Sequence, residues 1–260
     1  MSGASPPDTA IVEARRILLD ALDALAGQHE ALVLVGAQAI YLRVGNADLA
    51  VAPYTTDADL VVVPTQLADD PKLEQALRAA GLVPNPNQDG VGSWVRAGSD
   101  FLEVCVDFLV PEGLADPRGR RGARLGEHGD RTARKAKGLE AFAVEWDLVT
   151  VTALDPADTR RQEVRIAGPA ALLIAKLHKL AERIDDPNRR QAKDALDIYR
   201  LLMAYETPEL AKRMRRLLED GSSATITREG LEILQRLFGD EQGPGSVLAG
   251  ENVRGVGNPN

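Results

Sequence analysis

The chain has 260 residues, 44% apolar and 27% charged, a balance that builds an ordinary globular core without disulfide or metal staples. Its net charge of -8 excludes a protein that coats nucleic acid through overall positive charge, and the single cysteine, Cys105, excludes an intramolecular disulfide. MSGASPPDTA lacks a signal-peptide pattern and no run approaches about 18 apolar residues, so the expectation is a cytoplasmic protein without a membrane partner.

In chain order, residues 1–8 are small, polar and proline-containing, and are expected to be disordered. Ile11, Ala14, Leu18, Leu19, Leu22 and Leu25 recur at helical spacing and predict an amphipathic helix over 9–27. Ala31–Val35 is a short apolar run, read as a buried strand that ends at Gly36; a helix over 37–43 follows and stops at Gly45. Asp57–Val63 predicts a second strand between Pro53 and Pro64, and 70–80 a helix closed by Gly81. Strands over 93–97 and 101–110 flank a turn at Gly98-Ser99-Asp100. Residues 112–137 show no periodicity and read as a long loop. This segment is locally basic, with Arg118, Arg120, Arg121, Arg124, Arg131, Arg134, Lys135 and Lys137 interrupted only by Glu127 and Asp130. Strand-like pieces follow near 142–153 and 163–166.

From Gly168 the pattern becomes helical, over 169–184, 188–205, 207–219 and 227–238, and the glycine-, asparagine- and proline-rich 239–260 predicts a disordered tail. The expected organisation is therefore an α/β domain over 9–167 and a helical domain over 168–238, an α+β fold built on a mixed sheet with flanking helices.

The strongest chemical signal is Thr55-Thr56-Asp57-Ala58-Asp59, leading into Leu60-Val61-Val62-Val63. Two carboxylates one residue apart at the head of an apolar strand face the same way, while Ala58 and Leu60 face a core. Crowded carboxylates favour a hard cation such as Mg²⁺. A solvated edge strand with two aspartates fits an isolated D-x-D as well, so the surroundings decide. Upstream, Gly36-Ala37 opens a helix, where backbone N–H groups can hold phosphate. Downstream, Glu103, Cys105 and Asp107 alternate onto one face, and Asp107 supplies the third carboxylate a two-metal site requires. Cys105 itself reads as a small buried apolar residue. His29, His128 and His178 are scattered and make no zinc pattern.

This order (strand, glycine turn, helix, D-x-D strand, later strand Asp) resembles the nucleotidyltransferase superfamily with the polymerase-β-like fold. The helical Lys176, Lys179 and Arg183 followed by Lys193-Asp194 and Asp197 narrow it to the AbiEii-type toxin nucleotidyltransferases, including the MenT group, over residues 31–203. The sequence departs from the superfamily in having Gly36-Ala37 where Gly-Ser or Gly-Gly is usual.

The resemblance implies a magnesium-dependent transfer of a nucleoside monophosphate from an NTP to an acceptor hydroxyl. Asp57 and Asp59 would bind both metals, while Asp107 would bind one and assist deprotonation. Gly36, Ala37, Lys176 and Lys179 would hold the triphosphate, and Asp194 would belong to the active site. It further implies a tRNA 3′-end acceptor, an antitoxin partner, and a regulatory phosphorylation position at Thr55, which is also placed beside the nucleotide. Plainer readings stand alongside: a solvated basic stripe for Lys176, Lys179 and Arg183, and a salt bridge between helices for Asp194 and Asp197. The same fold also serves small-molecule acceptors such as aminoglycosides, protein acceptors, or an inactive binding module.

Overall fold

The computed structural model describes residues 9–44, 55–88, 90–99, 103–118, 120–186 and 192–253. The expectations for 1–8, Gly45, Pro53, Asp100, Arg190 and 254–260 lie outside the described residues. The strands are β1 (Leu32–Val35), β2 (Asp57–Val62), β3 (Leu82–Pro84), β4 (Ser93–Arg96), β5 (Cys105–Pro111), β6 (Arg134–Ala136), β7 (Trp146–Thr152) and β8 (Arg161–Ala167). The helices are α1 (Thr9–Ala24), α2 (Gly36–Val44), α3 (Leu73–Ala79), α4 (Pro169–Arg183), α5 (Ala192–Ala204), α6 (Thr207–Glu219), α7 (Ala224–Phe238) and α8 (Pro244–Val253).

These strands form one mixed sheet in the order β3-β4-β5-β2-β1-β8-β7, with β6 also paired to β5. Apolar at every position and buried throughout, β1 sits inside the sheet. It runs antiparallel to β2 and parallel to β8, while β2 and β5 run parallel. The outer edge of β5 is shared: β4 lies antiparallel beside Val106 and Asp107, and β6 lies parallel beside Leu109, Val110 and Pro111. Gly92 sits at that handover with φ +72, and a Cβ there would stand 2.6 Å from the Arg134 nitrogen and 2.8 Å from the Phe108 carbonyl oxygen. Only glycine lets β4 give way to β6 so closely.

The described residues thus form a mixed α/β structure with a helical C-terminal part, in keeping with the expected fold class. Four local expectations are corrected. The segment 112–137 is not simply a loop: it carries β6, a bridge between Gly122 and Arg134, and short 3-10 turns at Glu112–Leu114 and Gly126–His128. At three residues, β6 is too short to show an alternating pattern. The strand-like piece from 142 begins instead as a 3-10 turn over Glu140–Ala143, and β7 starts only at Trp146. Glu103 precedes β5 in an exposed turn, so it does not share the Asp107 face. The tail expected to be disordered over 239–260 contains α8, which opens on Pro244 and buries Leu248 and Ala249 against α5 and α7. Proline is tolerated in a first helical turn, and two buried apolar residues outweigh the tail's glycine content.

The expected domain boundary falls where β8 ends at Ala167 and α4 begins at Pro169. The apolar core nevertheless continues across it, one contiguous cluster running from Leu18 through Leu34 and Leu60 to Ile174, Leu177 and Leu248.

Candidate active site

In β2, side chains alternate between the two sheet faces, so Ala58 and Leu60 are fully buried while Asp57 and Asp59 share the other face. The parallel register pairs Asp59 with Asp107 and Asp57 with Cys105, which brings the third carboxylate beside the second. All three aspartates line one cleft of about 630 Å³. Gly36, the first residue of α2, has φ +68, and a Cβ there would stand 2.0 Å from Oδ2 of Asp59. The turn and the carboxylate therefore fit against each other only because residue 36 is glycine. Ala37, also buried, lines the same cleft.

Crowding has an electrostatic consequence. Burial, then Asp57, then Asp107 push the Asp59 carboxyl up to about 7, against a partial offset from Lys179 and Lys176. The hydroxyl of the buried Thr55 donates to Oδ1 of Asp57, so its side chain points to the Asp57 side, as the extended spacing predicts. The Cys105 thiol lies 3.7 Å from Oδ1 of Asp107, and burial together with that carboxylate pushes its pKa up to about 12. It is an inert neutral neighbour at neutral pH.

Arg134 on β6 is the residue that sequence reasoning missed. It was visible only as one of eight basic residues in an aperiodic segment. The β5–β6 register sets Arg134 opposite Leu109, two residues beyond Asp107 on the same face, and Nη2 donates to Oδ2 of Asp107 at 2.7 Å. Nη1 of the same guanidinium is buried without a partner. The signal that could have found it is the apolar Ala133 immediately before it, fully buried while Arg134 is only half-buried, but a three-residue strand gives no periodicity to read.

The opposite wall comes from α4 and α5. Lys176 and Lys179 lie three apart on α4, and both line the cleft with Arg183, Lys193 and Asp194. Lys176 is buried and already committed: Nζ donates to Oδ1 of Asp194 and to Oδ2 of Asp197, each at 2.8 Å. Burial works to lower its pKa, but Asp197 and Asp194 outweigh that and raise it, so the ammonium is fixed. Burial likewise works to raise the Asp194 pKa, and Lys176 and Lys179 reverse it to a net lowering. Asp194 also stands 3.3 Å from Lys179 and 3.9 Å from Arg183, yet its Oδ2 is buried with no hydrogen bond. Behind it, Asp197 pairs with Arg200, which lies over the Tyr41 ring. The structure therefore joins two readings of these residues: they line the cleft, and they tie α4 to α5. Lys179, with its side chain 42% exposed, is the less committed of the two lysines.

The three aspartates offer only oxygen donors, and burial followed by the neighbouring carboxylates disfavours the charged form of Asp59, a cost that a hard cation such as Mg²⁺ would relieve. They are not drawn to a common point: among the described residues no group of three His, Cys, Asp or Glu stands at metal-holding spacing. The expectation that they converge on one cleft is met, but ligand spacing is not, with Asp107 held by Arg134 and Asp57 by Thr55. The cleft also has an apolar side, formed by Leu109, Leu139, Phe142, Leu172 and Ala175, against which a planar base could lie. Neither the family models nor the curated proteins compared with the chain match it.

Proposed function

We propose that the chain is a magnesium-dependent nucleotidyltransferase. The observation that carries this reading is the β2–β5 register, which sets Asp59 beside Asp107 with Asp57 on the same face of one cleft, opposite the cationic wall of α4. In the proposed reaction the acceptor hydroxyl oxygen attacks the α-phosphorus of an NTP. The bond from that phosphorus to the bridging oxygen breaks, pyrophosphate leaves with the electron pair, and the hydroxyl proton passes to a carboxylate. Magnesium held by Asp57, Asp59 and Asp107 would supply Lewis-acid polarisation of the phosphate and of the hydroxyl. The N–H groups of Gly36 and Ala37, with Lys179, would orient the phosphates. Lys176 would position Asp194 and Asp197, contributing its field to the triphosphate while keeping its own ion pairs. Asp107, beside the D-x-D pair, would take the acceptor proton.

The acceptor follows from the resemblance rather than from the cleft: a tRNA 3′ end, with an antitoxin as partner protein. Thr55, the expected phosphorylation position, is buried with its hydroxyl donating to Asp57 and would have to leave that contact to be modified. The exposed Arg120, Arg124 and Arg131 beside β6 support a polyanionic acceptor. A second reading, a nucleotide-binding module without transfer, is favoured by one observation, the engagement of Asp107 by Arg134. Among the described residues no helix is long and apolar enough to cross a membrane. The test is incubation of the purified protein with each labelled NTP, Mg²⁺ and total cellular RNA, an aminoglycoside or the protein itself. Label transfer that Asp59→Asn abolishes supports the enzyme. Nucleotide binding with no transfer to any acceptor selects the binding module.

A further inference from the structure

Arg134 is a basic group of the cleft that grips a carboxylate of the proposed metal set. Its Nη2 lies 2.7 Å from Oδ2 of Asp107, and the two side chains are 22% and 6% exposed, so the pair is shielded from water. The guanidinium is nonetheless half satisfied, because Nη1 is buried with no partner. A planar fork that uses one arm and leaves the other desolvated is held less firmly than a bidentate pair. Asp107 stands opposite Asp59 in the β2–β5 register, so a cation shared between them would draw on the carboxylate that Arg134 holds. Two cations on one partly buried carboxylate repel each other, more strongly than they would in bulk water.

We propose that Arg134 is a built-in counter-cation of the carboxylate cluster, holding Asp107 in the metal-free protein and leaving it when a divalent cation enters, so that the two compete for the same carboxylate. The inference rests on the metal-dependent reading of this cleft. Arg134 acts through Asp107 and is therefore a positioning residue. While it holds Asp107 it limits the repulsion among three neighbouring carboxylates, and it keeps the third aspartate turned into the cleft. Its position follows from the handover at Gly92, which brings β6 onto the edge of β5 where β4 leaves it. An ordinary structural ion pair would share this geometry but would not oppose cation binding.

The experiment measures Mn²⁺ binding to the full chain by electron paramagnetic resonance and by calorimetry, without nucleotide. Five proteins are compared: wild type, Arg134→Gln, Arg134→Lys, Lys137→Gln and Asp59→Asn. Lys137 lines the same cleft with its side chain 62% exposed, so its variant removes an equal charge without touching Asp107. Arg134→Gln is expected to tighten Mn²⁺ binding by about tenfold, and Lys137→Gln by no more than about twofold. Arg134→Lys, which keeps the charge, is expected to stay near wild type and shows whether the side chain's charge is what matters. Unchanged or weaker Mn²⁺ binding in a folded Arg134→Gln protein overturns the inference, as does an equal effect of Lys137→Gln. Loss of folding in Arg134→Gln would make the pair structural and also overturns the inference. If the wild type binds no Mn²⁺, or Asp59→Asn binds it as well as wild type, the metal-dependent reading itself fails and takes this inference with it. Wild-type binding lost in Asp59→Asn but indifferent to Arg134 sinks the inference alone.

Discussion

At the scale of single residues, the two halves of the cleft respond to substitution in opposite ways. Asp59 carries a carboxyl pushed up from 3.8 to about 7, first by burial and then by Asp57 and Asp107. A raised carboxyl pKa means the folded state holds its proton more tightly than the unfolded chain does. The stability this gives is present below 3.8 and is lost as pH rises through about 7. Asp59→Asn keeps the shape and removes the charge, so it is expected to raise the Tm of the metal-free protein at about pH 8, to change it little at about pH 4, and to abolish transfer. Thermal melts in a chelator at the two pH values, beside the transfer assay, check this; a lower Tm at the higher pH would make Asp59 a structural residue. Across the cleft, Lys176→Ala leaves Asp194 and Asp197 buried; among the described residues Asp194 keeps the longer contacts to Lys179 and Arg183, and Asp197 keeps Arg200. The expected cost is about 3–5 kcal/mol, the scale for breaking a buried pair from one side. Lys179→Ala, at a side chain 42% exposed, is expected to cost less than about 1 kcal/mol and yet to weaken nucleotide binding on the order of tenfold. Urea titrations and nucleotide calorimetry on both variants separate the two lysines, and equal stability losses would contradict the assignment.

Elements, rather than isolated side chains, decide how accurately this site is built, and they also decide what could be read from the sequence. The D-x-D strand was legible because Leu60-Val61-Val62-Val63 is an unbroken apolar run behind two carboxylates, and the Asp107 face because Cys105 to Val110 is equally apolar. The strand-to-strand register, Asp59 opposite Asp107, is a tertiary fact that no local pattern encodes. Lys176 and Asp194 were legible as cleft residues, but the closeness of α4 and α5, which commits them to each other, was not. Nor was Arg134, whose strand is too short for periodicity. The entry to α4 shows a similar device. Gly168 offers no side-chain cap, and Glu145 supplies one from just before β7: its Oε2 accepts from the Ala171 N–H at 2.6 Å, and its Oε1 from Arg213 at 3.0 Å. A Cβ at Gly168 would stand 2.2 Å from that carboxylate carbon. Glu145→Ala is therefore expected to destabilise the fold by about 1–3 kcal/mol through loss of the cap and of the Arg213 contact, which leaves Arg213 its pairs with Asp147 and Glu209. Because α4 carries Lys176 and Lys179, nucleotide affinity should fall with it, which melts and calorimetry together would show. A stable variant with normal affinity would mean that the cap does not set the position of α4.

On the scale of the whole molecule, the question is whether the sheet and the helical part are separate folding units. The sequence suggests that they are, because strand-like composition gives way to helical periodicity at Gly168. The packing says otherwise. Residues of α4 such as Leu172, Ile174 and Leu177 belong to the same buried cluster as Leu34 and Leu60, and α2 of the sheet part packs against both α4 and α5. Ion pairs and one cation–π contact reinforce the seam: Arg213 of α6 reaches Glu145 and Asp147, Lys137 reaches Glu229 of α7, and Arg200 of α5 lies over Tyr41 of α2. A unit cut at residue 167 would expose apolar surface on both pieces, and each Leu or Ile left uncovered costs about 1.5–3 kcal/mol, against a total stability of about 5–15 kcal/mol for a whole domain. Two separately stable halves are therefore not expected. The expected outcome is a single calorimetric unfolding transition whose van't Hoff and calorimetric enthalpies agree, and isolated fragments 1–167 and 168–260 that lack near-ultraviolet dichroism. Removing α8 by truncation before Pro244, which uncovers its contacts with α5 and α7, should lower the Tm of that one transition instead of splitting it. Two resolved transitions in the full chain, or a cooperative melt from either fragment alone, would show that the boundary at Gly168 divides the molecule after all.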